Sequence, residues 1–201
     1  QALHMLGIPH DLISASEWRP AARNFIWHNF RPFELRADAW TEPRIRENID
    51  VHLYIAGFPC QPFSPLGKKQ GVKDQKQRGI AAEVCIHRIM TIRPRAFILE
   101  NVAAARNAQQ GTFWRVLVHR LRSLDYTLDD CILDSIYTGT PQMRKRVYLI
   151  GRKGHHPSLP LLPKLKAVNI ETALDPPEPE DDPARLPHGK DGQEIKATAT
   201  V

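Results

Sequence analysis

Apolar and polar positions sort this chain into short blocks. Leu53-Tyr54-Ile55-Ala56 is a continuous apolar run, closed downstream by Gly57, Pro59 and Pro62. It predicts a buried strand over 51–56 that empties into a stiff loop. Ala96 to Leu99 predicts a second buried strand delivering Glu100 and Asn101, and Val147 to Gly151 a last one. Between them, Ile80, Val84, Ile86, Ile89 and Met90 recur at helical spacing and predict a helix over 80–92, ended by Arg93-Pro94. Cys85 falls inside that helix and reads as core. Residues 112–124 read as an amphipathic helix, and Tyr126 to Leu133 as an alternating strand. At the start, residues 1–8 read as the last turns of a helix closed by Gly7, followed by a strand over Asp11 to Ala15. Pro20 suits the first turn of a helix whose apolar face is Ala21, Phe25 and Phe30. Strand and helix alternate, which predicts a doubly wound α/β sheet.

Composition refines this outline. The 201 residues are one domain's worth of chain, and 42% hydrophobic residues suffice for a core. The organised part is expected over 1–153, with a connector over 154–174. Residues 175–201 are rich in proline and acidic side chains and are expected to be a poorly ordered tail. The net charge of +6 points to a polyanionic partner. Lys68, Lys69, Lys73, Lys76 and Arg78 crowd one segment, and Arg144, Lys145, Arg146, Arg152 and Lys153 another. Such runs fit either a solvated surface or a phosphate-contacting rim. The three cysteines, Cys60, Cys85 and Cys131, hold neither a disulfide framework nor zinc-ligand spacing. His155-His156 has no third ligand nearby in sequence, so no metal is expected. No apolar stretch approaches the ~20 residues that span a bilayer. The chain opens on Gln1-Ala2-Leu3 without a signal-peptide pattern and reads as the inside of a longer one.

Some positions suggest chemistry. Cys60 sits in the loop after a strand, where open α/β sheets bind ligands, so its thiol is placed as a nucleophile; a small buried cysteine in a turn is the plain alternative. Glu17, at the end of the first strand, could accept hydrogen bonds from both ribose hydroxyls, and Trp18 could stack on a purine; a helix-start carboxylate beside a core tryptophan is the competing reading.

The stretch Gly57-Phe58-Pro59-Cys60-Gln61-Pro62-Phe63-Ser64 resembles the nucleophile loop of the cytosine-C5 DNA methyltransferases. Phe97-Ile98-Leu99-Glu100-Asn101-Val102 looks like that family's Glu-Asn-Val motif. Gln142-Met143-Arg144-Lys145-Arg146 is similar to its Gln-x-Arg-x-Arg motif. The three stand in the family's order, and the resemblance covers about residues 2–153, thinning toward 175. It implies a Rossmann-like fold and transfer of a methyl group from S-adenosyl-L-methionine to C5 of cytosine in DNA. It makes Cys60 the nucleophile toward C6 and Glu100 the group that binds the N3 and N4 edge of the base; a helix-start or salt-bridge carboxylate is the competing reading of Glu100. Arg146 would steady the base oxygen with Arg144 beside it, a phosphate contact being the competing role for either, and Gln142 would orient the Cys60 loop. For the cofactor it implies Glu17 on the ribose, Trp18 and Asp38 on the adenine, and Pro59 alongside. The partner would be double-stranded DNA with its target cytosine flipped out, in a nucleus or a bacterial cytoplasm.

The family's first strand with its Phe-x-Gly-x-Gly loop should stand before Gln1, and a target-recognition region after 175. The expectation is therefore an incomplete fold, with an additional segment or chain completing the sheet and little methyl transfer by residues 1–201 alone. A tRNA cytosine-C5 methyltransferase shares the scaffold, although the Gly-Phe-Pro-Cys form leans to DNA. A truncated homologue that binds nucleic acid or a partner without turnover is the non-enzyme reading.

Overall fold

A computed structural model describes residues 2–41, 49–58 and 81–173. Its elements in chain order are α1 (Ala2–Met5), β1 (Ser14–Ser16), α2 (Pro20–Phe30), β2 (Glu34–Arg36), β3 (Leu53–Gly57), α3 (Ala81–Ile92), β4 (Ala96–Val102), α4 (Thr112–Arg122), β5 (Tyr126–Asp134) and β6 (Lys145–Lys153). A 3-10 turn, Ala103–Asn107, links β4 to α4. Cys60, Pro59, the lysine-rich segment after them and the expected tail lie outside the described residues.

The strands form two sheets. β1 and β2 pair in parallel, Ser16 opposite Arg36. The larger sheet has the order β3-β4-β6-β5. Its β3–β4 pair is parallel, while β4–β6 and β6–β5 are antiparallel. The sheet is thus mixed, and the doubly wound pattern holds only for its first half. Residues 135–144 are too few to carry a helical crossover from β5 to β6, so these two strands return as a hairpin.

The core lies on one face of the larger sheet. Along β4, Phe97, Leu99 and Asn101 are buried while Ala96, Ile98, Glu100 and Val102 are half-buried, the period of two expected of a strand. Val147 and Leu149 of β6 continue the buried face. Cys85, Ile86 and Ile89 of α3 and Trp114, Leu117 and Leu121 of α4 pack against it. The apolar positions of α4 recur at helical spacing, which is why its inner face fills while Arg115, His119 and Arg122 stay outside.

Several expectations shift. The first strand is Ser14–Ser16 rather than Asp11 to Ala15, because the paired register with β2 runs from Ser14 to Ser16. β4 runs through Val102, so Glu100 and Asn101 belong to the strand itself and do not follow it. α2 begins at Pro20 as predicted, yet none of its residues is buried and Phe25 is 61% exposed. Helical periodicity marks a face that can be covered; among the described residues no element buries this one.

The densest point of the core is Phe97. Its ring is fully buried, meets Tyr126 edge-on at 5.0 Å and lies opposite Gly151 in the β4–β6 register. The Tyr126 hydroxyl donates to the carbonyl of Pro94 at 2.7 Å, so the ring pair is fixed at both ends. A Cβ on Gly151 would stand 2.2 Å from the Phe97 ring. Gly151→Ala is therefore expected to cost about 3 kcal/mol of stability through overpacking. Gly154→Ala, where only a positive φ of 84° opposes the side chain, should cost about 1 kcal/mol. Denaturant titration of both variants checks this; equal losses would mean that the Phe97 ring yields.

Candidate active site

Three chain segments meet at one end of the larger sheet: the carboxyl ends of the parallel strands β3 and β4, and the amino end of β6. The registers fix which side chains share a face. Gly57 lies opposite Glu100, Glu100 opposite Tyr148, and Val102 opposite Arg146. Glu100 and Arg146 are thus diagonal neighbours on the half-buried face, within reach of long side chains. Arg146 Nε donates to Glu100 Oε1 at 2.8 Å, with the two side chains 18% and 30% exposed. A second guanidinium nitrogen of Arg146 donates to the carbonyl of Lys145 at 2.9 Å. The other carboxylate oxygen of Glu100 comes so close to β3 that a Cβ on Gly57 would lie 3.2 Å from it. Glycine at this position lets the carboxylate rest against the strand that leads to Cys60.

Asn101 points the other way, into the core, and is 2% exposed. Its Oδ1 accepts the backbone N–H of Val102 at 2.8 Å and its Nδ2 donates to the carbonyl of Phe58 at 3.4 Å. An acceptor and a donor met on opposite sides determine the orientation of the amide. Phe58 is itself buried, edge-on to Phe113 at 6.5 Å. The last described residue before Pro59 and Cys60 is therefore held by both its ring and its carbonyl.

Of the other predicted residues, Gln142 and Arg144 are exposed in the segment leading into β6. Backbone bonds hold this segment: Arg144 N–H donates to Asp134 Oδ1 at 3.1 Å, and the Ser135 hydroxyl donates to the carbonyl of Gln142. The motif is brought to Glu100 by Arg146, not by Arg144 or Gln142.

The expected cofactor residues gather at the carboxyl ends of the neighbouring strands β1 and β2. Glu17 follows β1 directly and Asp38 stands just past β2. Glu17 Oε1 accepts the N–H of Arg19 at 2.8 Å, and Asp38 Oδ1 accepts the N–H of Trp40 at 2.9 Å. Each carboxylate is oriented through one oxygen, and the other has no partner among the described residues. Trp18 is 73% exposed with the Arg19 guanidinium 5.4 Å from its ring centre, so it is not a core residue. The two oriented carboxylates offer hydrogen-bond acceptors, and the exposed Trp18 ring offers a plane for stacking.

Cys85 is buried as expected, and its thiol is pushed up to about 11 by burial, against the opposing pull of a hydrogen bond with Tyr54 and the Arg88 charge. Such a thiol is inert near neutral pH. Burial also raises the Tyr54 hydroxyl and, with Asp130 and Asp129 beside it, the Cys131 thiol. Among the described residues no cluster of His, Cys, Asp or Glu could hold a metal ion, and no helix is long and apolar enough to cross a membrane.

The model of the C-5 cytosine-specific DNA methylases matches residues 2–188. The chain belongs to this family. Among curated relatives, the type II methyltransferase M.NgoBI of Neisseria gonorrhoeae is 33% identical over 139 residues, 69% of this chain and 43% of that protein. M.MspI of Moraxella sp is 37% identical over 142 residues, covering 69% of this chain and 32% of its own length. The chain thus spans less than half the length of these relatives. Among solved structures, a DNMT2 mutant of Spodoptera frugiperda superposes with a TM-score of 0.65 at 20% identity, over 89% of this chain and 56% of that one. S. pombe Dnmt2 gives 0.57 at 19% identity over 79% and 47%. These likenesses establish the methyltransferase fold. For the family's Glu-Asn-Val motif, the structure separates the roles of its first two residues: Glu100 faces the half-open side and Asn101 the core.

Sequence reasoning had passed over Asn101 as a separate agent, and over Gly57 as the place where Glu100 approaches. The signal for Asn101 was present: it continues the buried set Phe97, Leu99 at the strand's period of two, and a buried amide must be hydrogen-bonded. Asn101→Asp keeps the shape and the Val102 bond but sets an oxygen against the Phe58 carbonyl. It is expected to lower stability by about 1–3 kcal/mol, measured as a shift in the denaturation midpoint. An unchanged midpoint would show that Nδ2 does not hold Phe58.

Proposed function

We propose that this chain carries the catalytic and adenosine-binding parts of a DNA cytosine-C5 methyltransferase. The observation that carries the reading is the Glu100–Arg146 pair beside Gly57, at the end of the strand that leads to Cys60. The family match supports the reading in general terms, and the residue roles are those that the motif resemblance implies.

Cytosine C5 is a weak nucleophile. Addition of the Cys60 thiolate at C6 breaks the ring's aromaticity and gives C5 enamine character. Glu100 binds the N3 and N4 edge, and a proton held at N3 draws electrons from C6 and favours that addition. Arg146 keeps the carboxylate in place through one oxygen and offers its remaining N–H groups to the base oxygen. S-adenosylmethionine, when bound, supplies an electrophilic methyl group on a sulfonium. Loss of the C5 proton with expulsion of the Cys60 thiolate restores the aromatic ring. Glu17 orients the ribose, Trp18 and Asp38 the adenine, with Pro59 beside them. A base stacked in a duplex is beyond reach of this site, so the target cytosine is flipped out of double-stranded DNA. The exposed Arg144 and Lys145 next to the pair suit phosphate contacts. Gln142 orients the Cys60 loop.

In the same reading the sheet takes one more partner. Among the described residues β1–β2 and β3-β4-β6-β5 are separate sheets, and β3 is an edge whose Ile55 is 61% exposed. A further strand, on the same or another chain, would cover it.

Two substitutions test the roles. In the full-length protein, Cys60→Ala is expected to abolish transfer of labelled methyl groups to DNA while cofactor affinity stays near that of the unmodified protein. Transfer within about tenfold of normal, under ~1.4 kcal/mol of barrier, would remove Cys60 as nucleophile. Running the assay on DNA and tRNA side by side separates the two substrates; label in tRNA alone would favour the tRNA enzyme, and none in either a homologue that only binds. Trp18→Ala removes an exposed ring, so its melting temperature should not move, whereas S-adenosylmethionine binding should weaken by about 1–2 kcal/mol, the scale of one stack on a base. Unchanged affinity in calorimetry would take Trp18 out of the cofactor site.

A further inference from the structure

Arg88 is the one charged residue among the buried set of described side chains, 5% exposed in the middle of α3. A guanidinium removed from water needs compensating acceptors. It has them at a distance in sequence. One of its terminal nitrogens donates to the backbone carbonyls of Ala39, at 3.0 Å, and Thr41, at 3.1 Å. These carbonyls flank Trp40, and the N–H of Trp40 in turn donates to Asp38 Oδ1. The chain of bonds runs from α3 through the loop backbone to one oxygen of the Asp38 carboxylate. Arg36 of β2 donates to the same Thr41 carbonyl, so the loop is tied to its own small sheet as well as to α3.

Within the larger unit, Tyr54 of β3 and Cys85 of α3 lie close enough to feel its charge. Among the described residues, no hydrogen-bonded strand pair joins β1–β2 to the larger sheet. Arg88 is thus a direct polar tie between the sheet that carries Glu17 and Asp38 and the sheet that carries Glu100.

We propose that Arg88 is a positioning residue for adenine recognition: it fixes the 38–41 turn so that the outer oxygen of Asp38 meets the adenine amino group. This rests on the adenosine-binding reading of Asp38 given above. Arg88 touches no part of the cofactor; it acts through Ala39, Thr41 and Trp40.

A general loosening of the fold would weaken every ligand alike, whereas loss of this tie removes selectivity for the amino group. The probes are S-adenosylhomocysteine and S-inosylhomocysteine, which carry an amino group and a carbonyl respectively at that ring position, the inosyl base also holding a proton on the adjacent N1. Calorimetric dissociation constants are measured for the unmodified protein and for the Arg88→Met, Arg88→Lys, Asp38→Ala and combined Arg88→Met/Asp38→Ala variants. Arg88→Met is expected to lose about tenfold in affinity for the adenosyl ligand, one hydrogen bond's worth, and to change little toward the inosyl ligand. Arg88→Lys, which keeps the charge but not the fork, should lose part of the preference and decides the matter if the methionine variant does not fold. The combined variant should be no worse than Asp38→Ala alone. Equal losses for both ligands in the Arg88 variants, with the preference kept, would overturn the positioning role while leaving Asp38 in place. A preference untouched by Asp38→Ala would overturn the adenine reading and this inference with it.

Discussion

The parallel pairing of β3 with β4 is the constraint from which the rest of the site follows. One register sets Gly57 against Glu100, and the same register sets Phe58 within reach of Asn101. Because strand side chains alternate, Glu100 and Asn101 cannot share a face: one lies on the half-buried side and the other in the core. A slip of one residue would bury the carboxylate and expose the amide. The apolar alternation of β4 forbids that slip, since it would turn Phe97 and Leu99 away from the core they share with Val147 and Leu149 of β6. Core packing on one face thereby sets the position of a charged group on the other.

The antiparallel return of β6 completes the arrangement. A parallel strand at that place would bring its carboxyl end to the site. The hairpin instead brings the amino end of β6, so Arg146 arrives diagonally across from Glu100. Arg146 then reaches the carboxylate as part of a paired strand, while Arg144 and Gln142, a few residues earlier, are outside the ladder and exposed. The Gln-x-Arg-x-Arg spacing, at a period of two, carries one of its arginines into the sheet and leaves the other in the approach to it.

Much of this was legible in the chain. The strand leading to Cys60 and the strand carrying Glu100 are short apolar runs, and α3 and α4 repeat at helical spacing, so their existence follows from period alone. What period cannot supply is the partner. The apolar side of α2 reads as a core face, yet Phe25 is exposed, because the pattern states a need for cover without naming a cover. Pairing direction was equally hidden: Tyr126 to Leu133 and Val147 to Gly151 read as strands under either topology, and only the length of the link between them favours a hairpin. Gly57 looked like a strand breaker. Its value is the missing Cβ, which shows only once the Glu100 carboxylate is seen against it.

Arg88 illustrates the deeper limit of pattern reading. On a helical wheel it stands one turn from Cys85 and beside Ile89, on a face otherwise buried, and a charged residue there reads as an interruption. The structure makes it a tie, because buried charge is tolerated only where acceptors meet it, and two of its acceptors are main-chain carbonyls of a distant loop. Backbone acceptors carry no side-chain identity, so no residue pattern in 39–41 could have announced them. The two ends of the proposed site depend on different kinds of order. The Glu100 end is held by strand register, a property of many residues at once. The Asp38 end lies on a two-stranded sheet too small to fix its own position and depends on a guanidinium. A single substitution should therefore disturb the adenosine end far more selectively than the cytosine end, where removing one bond leaves the ladder standing.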